Sequence, residues 1–83
     1  MNKGNSMKEL LTHIVRELVD TPDQVEIKEV SGAKSTIFEI KVAKGDLGKI
    51  IGKEGRMAKS IRTIMTAVGM RNGIKVQVEN IEH

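Results

Sequence analysis

A chain of 83 residues with no cysteine, one aromatic residue (Phe38) and a net charge of +3 is one small domain that buries only about 60% of its unfolded surface. The missing cysteines exclude disulfides and thiolate metal sites, and a lone aromatic cannot build the base-stacking sheet of an RRM, OB-fold or cold-shock domain. No apolar run approaches the roughly 20 residues of a membrane span, and the polar stretch Met1 to Ser6 lacks the apolar core of a signal peptide.

Ser6-Met7-Lys8-Glu9 has the spacing of a capping box, with Ser6 as N-cap and Glu9 at N3. Residues 1–6 are therefore expected as a flexible tail before a single domain over 7–83. Leu10, Leu11, Ile14, Val15, Leu18 and Val19 follow on one helical face. Pro22 ends that helix and turns Thr21 away from helical geometry. A short strand is expected over Val25 to Val30, then a turn at Ser31-Gly32-Ala33-Lys34. Thr36, Phe38, Ile40 and Val42 alternate with Ile37, Glu39 and Lys41, which predicts a second, antiparallel strand.

Asp46 is placed to cap a short helix whose Leu47, Ile50 and Ile51 share a face. A glycine-containing loop interrupts it. A longer helix follows from about Arg56 to Val68, with Met57, Ala58, Ile61, Ile64, Met65 and Val68 at helical spacing. Gly69 reads as the residue just past its end. Asn72-Gly73 turns the chain into a last strand, Ile74 to Val78. The order is α-β-β-α-α-β, an α+β fold with a three-stranded sheet covered on one face by helices.

The chemistry concentrates in Ile50-Ile51-Gly52-Lys53-Glu54-Gly55-Arg56. Two glycines three apart let the backbone turn tightly and a second backbone come close. The helix that starts behind them directs N–H groups at that space and favours an anion. Lys53 and Arg56 add mobile positive charge, and Lys59 follows on the same face. From Lys44 to Arg71 there are seven cations and two carboxylates, a net +5, while the rest of the chain carries −2. The excess charge surrounds the loop, as a polyanion site requires. This is the logic of a GXXG loop that clamps about four nucleotides by their backbone. Gly45-Asp46-Leu47-Gly48 has the same spacing without those flanks. A Walker A loop is excluded, since Leu47 and Glu54 occupy its required Gly and Ser/Thr positions.

Element order and loop together resemble a KH domain of the prokaryotic type II topology, over about residues 7 to 81. The similarity is to the KhpA family of small bacterial single-domain proteins. It is carried by Gly48-Lys49-Ile50-Ile51-Gly52-Lys53-Glu54-Gly55-Arg56, with support from Met7-Lys8-Glu9-Leu10, Leu18-Val19-Asp20, Pro22-Asp23 and Ile61-Arg62-Thr63. The resemblance implies cytoplasmic binding of single-stranded RNA, with single-stranded DNA not distinguished. It also implies self-association as a homodimer and partnership with a larger KH-containing RNA-binding protein. The expected role is a regulator or RNA chaperone of post-transcriptional control, linked in some bacteria to cell elongation and division. By this resemblance Gly52, Lys53, Glu54 and Gly55 take the loop positions. Gly48 and Ile51 approach the bases, and Lys49, Arg56 and Lys59 are candidates for phosphate. Glu54 departs from the pattern by lowering the loop's positive potential.

Two other readings are open on the residues alone. One is a winged helix-turn-helix on duplex DNA, against which stand the second loop glycine and the absence of Asn or Gln poised to read adenine. The other is a KH-fold protein-interaction module. Methionines and aliphatics of the second long helix, Met57, Ile61, Ile64, Met65, Val68 and Met70, exceed what covering a three-stranded sheet needs and are expected to contact another copy. Catalysis is not expected. His13 and His83 are the only histidines, no second metal ligand stands at a recognisable spacing, and no cofactor motif occurs.

Overall fold

The computed structural model describes residues 3–83, with side chains from Met7 onward. Helix α1 spans Lys3–Leu18. Met7, Leu11 and Val15 form its buried face, and Ile14 and Leu18 pack beside them. The expected Ser6 hydroxyl cap lies outside the described residues. The backbone is already helical from Lys3, so the helix begins ahead of the predicted box, and Lys3 to Ser6 belong to it. No proline stands there to force a later start. The other end behaves as expected. Thr21, at φ −122° and ψ 71°, leaves helical geometry before Pro22, and Pro22–Gln24 makes a single 3-10 turn.

Strands β1 (Glu26–Ser31) and β2 (Ser35–Lys41) pair antiparallel, with Ile27 opposite Ile40 and Val30 opposite Ile37. Strand β3 (Lys75–Glu82) lies parallel to β2 on its other side, with Val76 opposite Thr36 and Val78 opposite Phe38. A parallel pair needs a long crossover, which helices α2 (Leu47–Ile51) and α3 (Arg56–Arg71) supply. Phe38, Ile40, Val76 and Val78 of the sheet meet Leu11, Val15, Ile50, Ile61 and Met65 of the helices in one core. At Asn80 (φ 49°) one extra residue shifts the β2–β3 register. The bulge returns Ile81 to a position opposite Ile40, on the inner face. Asn80 Nδ2 donates to Glu39 Oε2 at 2.8 Å and ties the bulge to β2.

The end of α3 corrects the reading of Gly69. The helix runs three residues past Val68, to Arg71, and Gly69 is buried within it. A Cβ there would stand 2.5 Å from Val76 Cγ2 and 2.6 Å from the Ile74 carbonyl oxygen. Glycine is thus needed for close approach of α3 to β3. The left-handed residue past the helix is Gly73 (φ 69°), after the C-cap Asn72. Ile74 N donates to Gly69 O at 2.9 Å and Gly73 N to Met70 O at 3.2 Å, the two bonds of a Schellman motif. Replacing Gly69 with alanine should overpack this junction by about 1–3 kcal/mol. For a domain of this size the melting point should fall by roughly 5–20 °C. A melt coincident with wild type would mean that α3 can lift from β3 without cost.

Candidate nucleic-acid interface

Helix α2 has one turn and a half, and the core holds it. Ile50 is fully buried, Leu47 packs against the cluster, and Ile51 is half-buried beside them. Its start is anchored by Asp46, though not by the expected cap. Asp46 makes no side-chain capping bond to α2. Only 3% of it is exposed, and its carboxylate turns to the end of α1. Asp20 N donates to Oδ1 at 3.1 Å and Thr21 N to Oδ2 at 2.9 Å. Lys49 Nζ lies 3.0 Å from Asp20 Oδ2 and 3.8 Å from Asp46 Oδ1. One carboxylate thereby ties the α1–β1 turn to the root of α2. No local signal marks Asp20 and Thr21 as partners of Asp46, from which they lie 26 and 25 residues away in sequence.

Burial disfavours ionisation of Asp46, but the Asp20 and Thr21 N–H groups and the Lys49 ammonium outweigh it and hold its pKa below the usual aspartate range. Lys49 is raised, first by its hydrogen bond to Asp20. A depressed carboxyl pKa stabilises the fold at pH values above the unfolded pKa, and the gain disappears as pH falls through the folded one. Asp46→Ala should therefore melt earlier than wild type at pH 7. The gap should close below about pH 4, and a gap constant down to pH 3 would contradict this role.

Gly52 closes α2. Its N–H donates to Gly48 O at 2.8 Å, and it stands at φ 75°, ψ 175°, a region left to glycine. A Cβ there would meet Met57 Cβ at 2.6 Å and Met57 N at 2.8 Å. Lys53–Gly55 forms a tight turn in which Glu54 (φ 56°) and Gly55 (φ 74°) are both left-handed. Gly55 N donates back to Gly52 O at 3.2 Å. Helix α3 then starts at Arg56, and no side chain caps its first turn. That turn is left to whatever anion approaches.

The loop stands out from the fold. Lys53, Glu54, Arg56 and Lys59 are exposed, as is Gly48 on α2, with no atom within 4 Å of where its Cβ would be. Ile51, Gly52 and Gly55 are half-buried beneath them. The structure thus gathers eight of the nine expected residues around one turn. Lys49 differs in that its ammonium pairs with Asp20 and Asp46. Within the loop, Arg56 Nη2 lies 3.5 Å from Glu54 Oε2, an exposed pair. Lys53 and Lys59 take part in none of the ion pairs of the described residues. Arg62 is occupied otherwise: its Nε donates to Val78 O at 3.0 Å. No local signal in the sequence marks this contact, whose partners lie 16 residues apart. Among the described residues no cluster of three His, Asp or Glu side chains is placed to hold a metal, and no helix is long and apolar enough to cross a membrane.

A β-α-α-β unit with a Gly-x-x-Gly turn between its helices, joined to an N-terminal helix and a strand antiparallel to the central one, defines the KH fold of type II. Residues 8–79 match the family described as the KhpA/KhpB KH domain, and the chain belongs to that non-enzymatic family. A protein of Chlamydia trachomatis serovar D, named RNA-binding protein KhpA, is 54% identical over 76 residues, which cover 92% of this chain and 97% of the relative. The protein of that name from Clostridium acetobutylicum is 51% identical over 75 residues, 90% of this chain and all of the relative. That from Aquifex aeolicus is 40% identical over 78 residues, 94% and 99% of the two chains. Family and sheet topology replace the winged-helix reading.

Proposed function

We propose that this protein binds single-stranded RNA, clamping about four nucleotides over the Gly52–Gly55 turn. The supporting observation is the turn itself. Its two glycines lie at positive φ, Lys53 and Arg56 are exposed beside it, and the first turn of α3 is uncapped. The relatives named RNA-binding proteins point to the same polymer. Phosphates take the place of the Glu54 carboxylate on Arg56, while Ile51 and Gly48 lie beneath the bases. Anisotropy of a labelled short RNA, with duplex and single-stranded competitors, tests this directly. Single strands should compete and duplex should not; the reverse would refute the clamp.

Three cations, Lys53, Arg56 and Lys59, neutralise about two to three phosphates, with Lys49 left out because Asp20 holds it. Log K should fall with log salt at a slope of about −1.4 to −2.1. Glu54→Lys releases Arg56 and adds a cation, so it should tighten binding and steepen that slope. Affinity indifferent to salt would remove phosphate contact as the basis.

The proposed cellular role is cytoplasmic post-transcriptional regulation or RNA chaperoning, linked to elongation and division by family resemblance alone. A homodimer and a larger KH-containing partner belong to the same reading. The apolar surface for self-association is narrower than the sequence suggested. Ile61 and Met65 are core, while Ile64 (45% exposed), Met70 (74%) and Leu10 of α1 (36%) remain outside. Sedimentation at micromolar concentration should show a species heavier than the 9.2 kDa monomer. A monomer throughout would end the dimer proposal.

A further inference from the structure

Glu54 is an unfavourable residue for a turn that serves only to hold phosphate. It stands at φ 56°, in the left-handed region that non-glycine residues rarely enter and that Asn and Asp tolerate best. Among the described residues the other non-glycine at positive φ is Asn80, a residue type that suits the region and whose amide ties the β-bulge to Glu39. Glu54 is held by less. Its carboxylate takes part in one ion pair, 3.5 Å from Arg56 Nη2, with both side chains well exposed, and such pairs contribute little to stability. The same carboxylate repels the phosphates that Lys53 and Arg56 attract. Glycine at this position would relieve the backbone, and a cation would strengthen the field. A residue unfavourable on both counts, at the tip of a ligand clamp, points to a contact that needs its acceptor oxygens.

An ionised carboxylate accepts hydrogen bonds and donates none. The backbone of a nucleic acid offers it few partners. Phosphate oxygens and the ring oxygen of the sugar are acceptors too. The 2′-OH is the one donor, present in RNA and absent from DNA. That hydroxyl sits on the carbon next to the one bearing the 3′-phosphate. Once a phosphate displaces Glu54 from Arg56, the freed carboxylate lies beside that phosphate, because Arg56 ends the same tight turn.

We infer that Glu54 is the residue by which this clamp selects RNA over DNA: its carboxylate accepts a hydrogen bond from the ribose 2′-OH next to the phosphate held by Arg56. With RNA the hydrogen bond offsets the repulsion between carboxylate and phosphate. With DNA the repulsion stands uncompensated, which is how a repulsive element yields specificity. The inference rests on the clamp reading and goes beyond it, since contacts to phosphate alone treat the two polymers alike.

Two variants remove the charge and differ in the acceptor. Glu54→Gln keeps an amide oxygen. Glu54→Gly keeps none and suits the left-handed backbone, so it should melt no lower than wild type. Each protein is titrated with a short single-stranded RNA and with its 2′-deoxy counterpart of the same base sequence, uracil included. Wild type should bind the RNA about tenfold more tightly than the deoxy strand, as a hydrogen bond to a charged group implies. Glu54→Gln should keep a smaller preference and Glu54→Gly should lose it, while both bind the deoxy strand more tightly than wild type does. The ratio between polymers is the readout, because loss of charge helps both alike and cancels. A ratio in Glu54→Gly equal to that of wild type overturns the inference and leaves the clamp standing. A wild-type ratio near one does the same. Failure of wild type to bind either strand overturns the clamp as well.

Discussion

Lys53→Asp combined with Glu54→Asp is expected to abolish RNA binding while leaving the fold intact. Both side chains are exposed. Position 54 keeps its charge and its left-handed backbone, which aspartate tolerates better than most residues. The change that matters is at 53, where a cation that the proposed clamp directs at phosphate becomes an anion. A hydrogen bond to a charged group contributes about 1.5–3 kcal/mol, so its loss alone weakens binding by about tenfold to a hundredfold. Repulsion adds to that. The circular dichroism spectrum should match wild type, and the melting point should stay within a few degrees. A folded double variant that binds a short single-stranded RNA as wild type does would place the interface elsewhere.

Gly52→Ala should act by a different route, with a larger structural effect. The backbone there, at φ 75° and ψ 175°, costs a non-glycine residue about 1–3 kcal/mol. The added Cβ also lands 2.6 Å from Met57 Cβ, and Met57 is packed against the core by its own helix. Relief requires α3 to move away from α2, which opens the turn and loosens the core. The variant should melt at least about 10 °C below wild type and lose RNA affinity even where it remains folded. Gly55→Ala provides the contrast. Its φ is 74°, but no atom lies within 4 Å of the added Cβ, so only the left-handed backbone penalty of about 1–2 kcal/mol applies. If Gly52→Ala and Gly55→Ala behave alike, packing against Met57 is not what demands glycine at 52.

What was legible in sequence was whatever is encoded locally. The apolar period of α3 is written in consecutive residues, and so are the alternation of β2 and the break at Pro22. Two glycines three apart, with Lys53 and Arg56 beside them, announce the turn. The misread residues are those whose partners are distant. Asp46 immediately before a helix has the look of an N-cap, yet it serves backbone N–H groups of Asp20 and Thr21. Lys49 lies within the motif, and its pairing with Asp20, 29 residues away, is not written there. Gly69 near a helix end looked like its terminator, because sequence shows a glycine but not the strand pressing on it. The true terminator, Gly73, stands four residues later. Met57, Ile61, Met65 and Val68 counted as surplus until the sheet and α1 had taken them up.

In the function proposed above, RNA lies over the Gly52–Gly55 turn. Titration of isotope-labelled protein with a short single-stranded RNA, followed by amide chemical shifts, reads that place residue by residue. The largest shifts should fall on Gly48 and on Ile51 through Arg56, extending to Lys59, with the outer sheet face around Lys28, Glu39 and Gln77 unmoved. Shifts centred on that outer face, with the turn silent, would contradict the account.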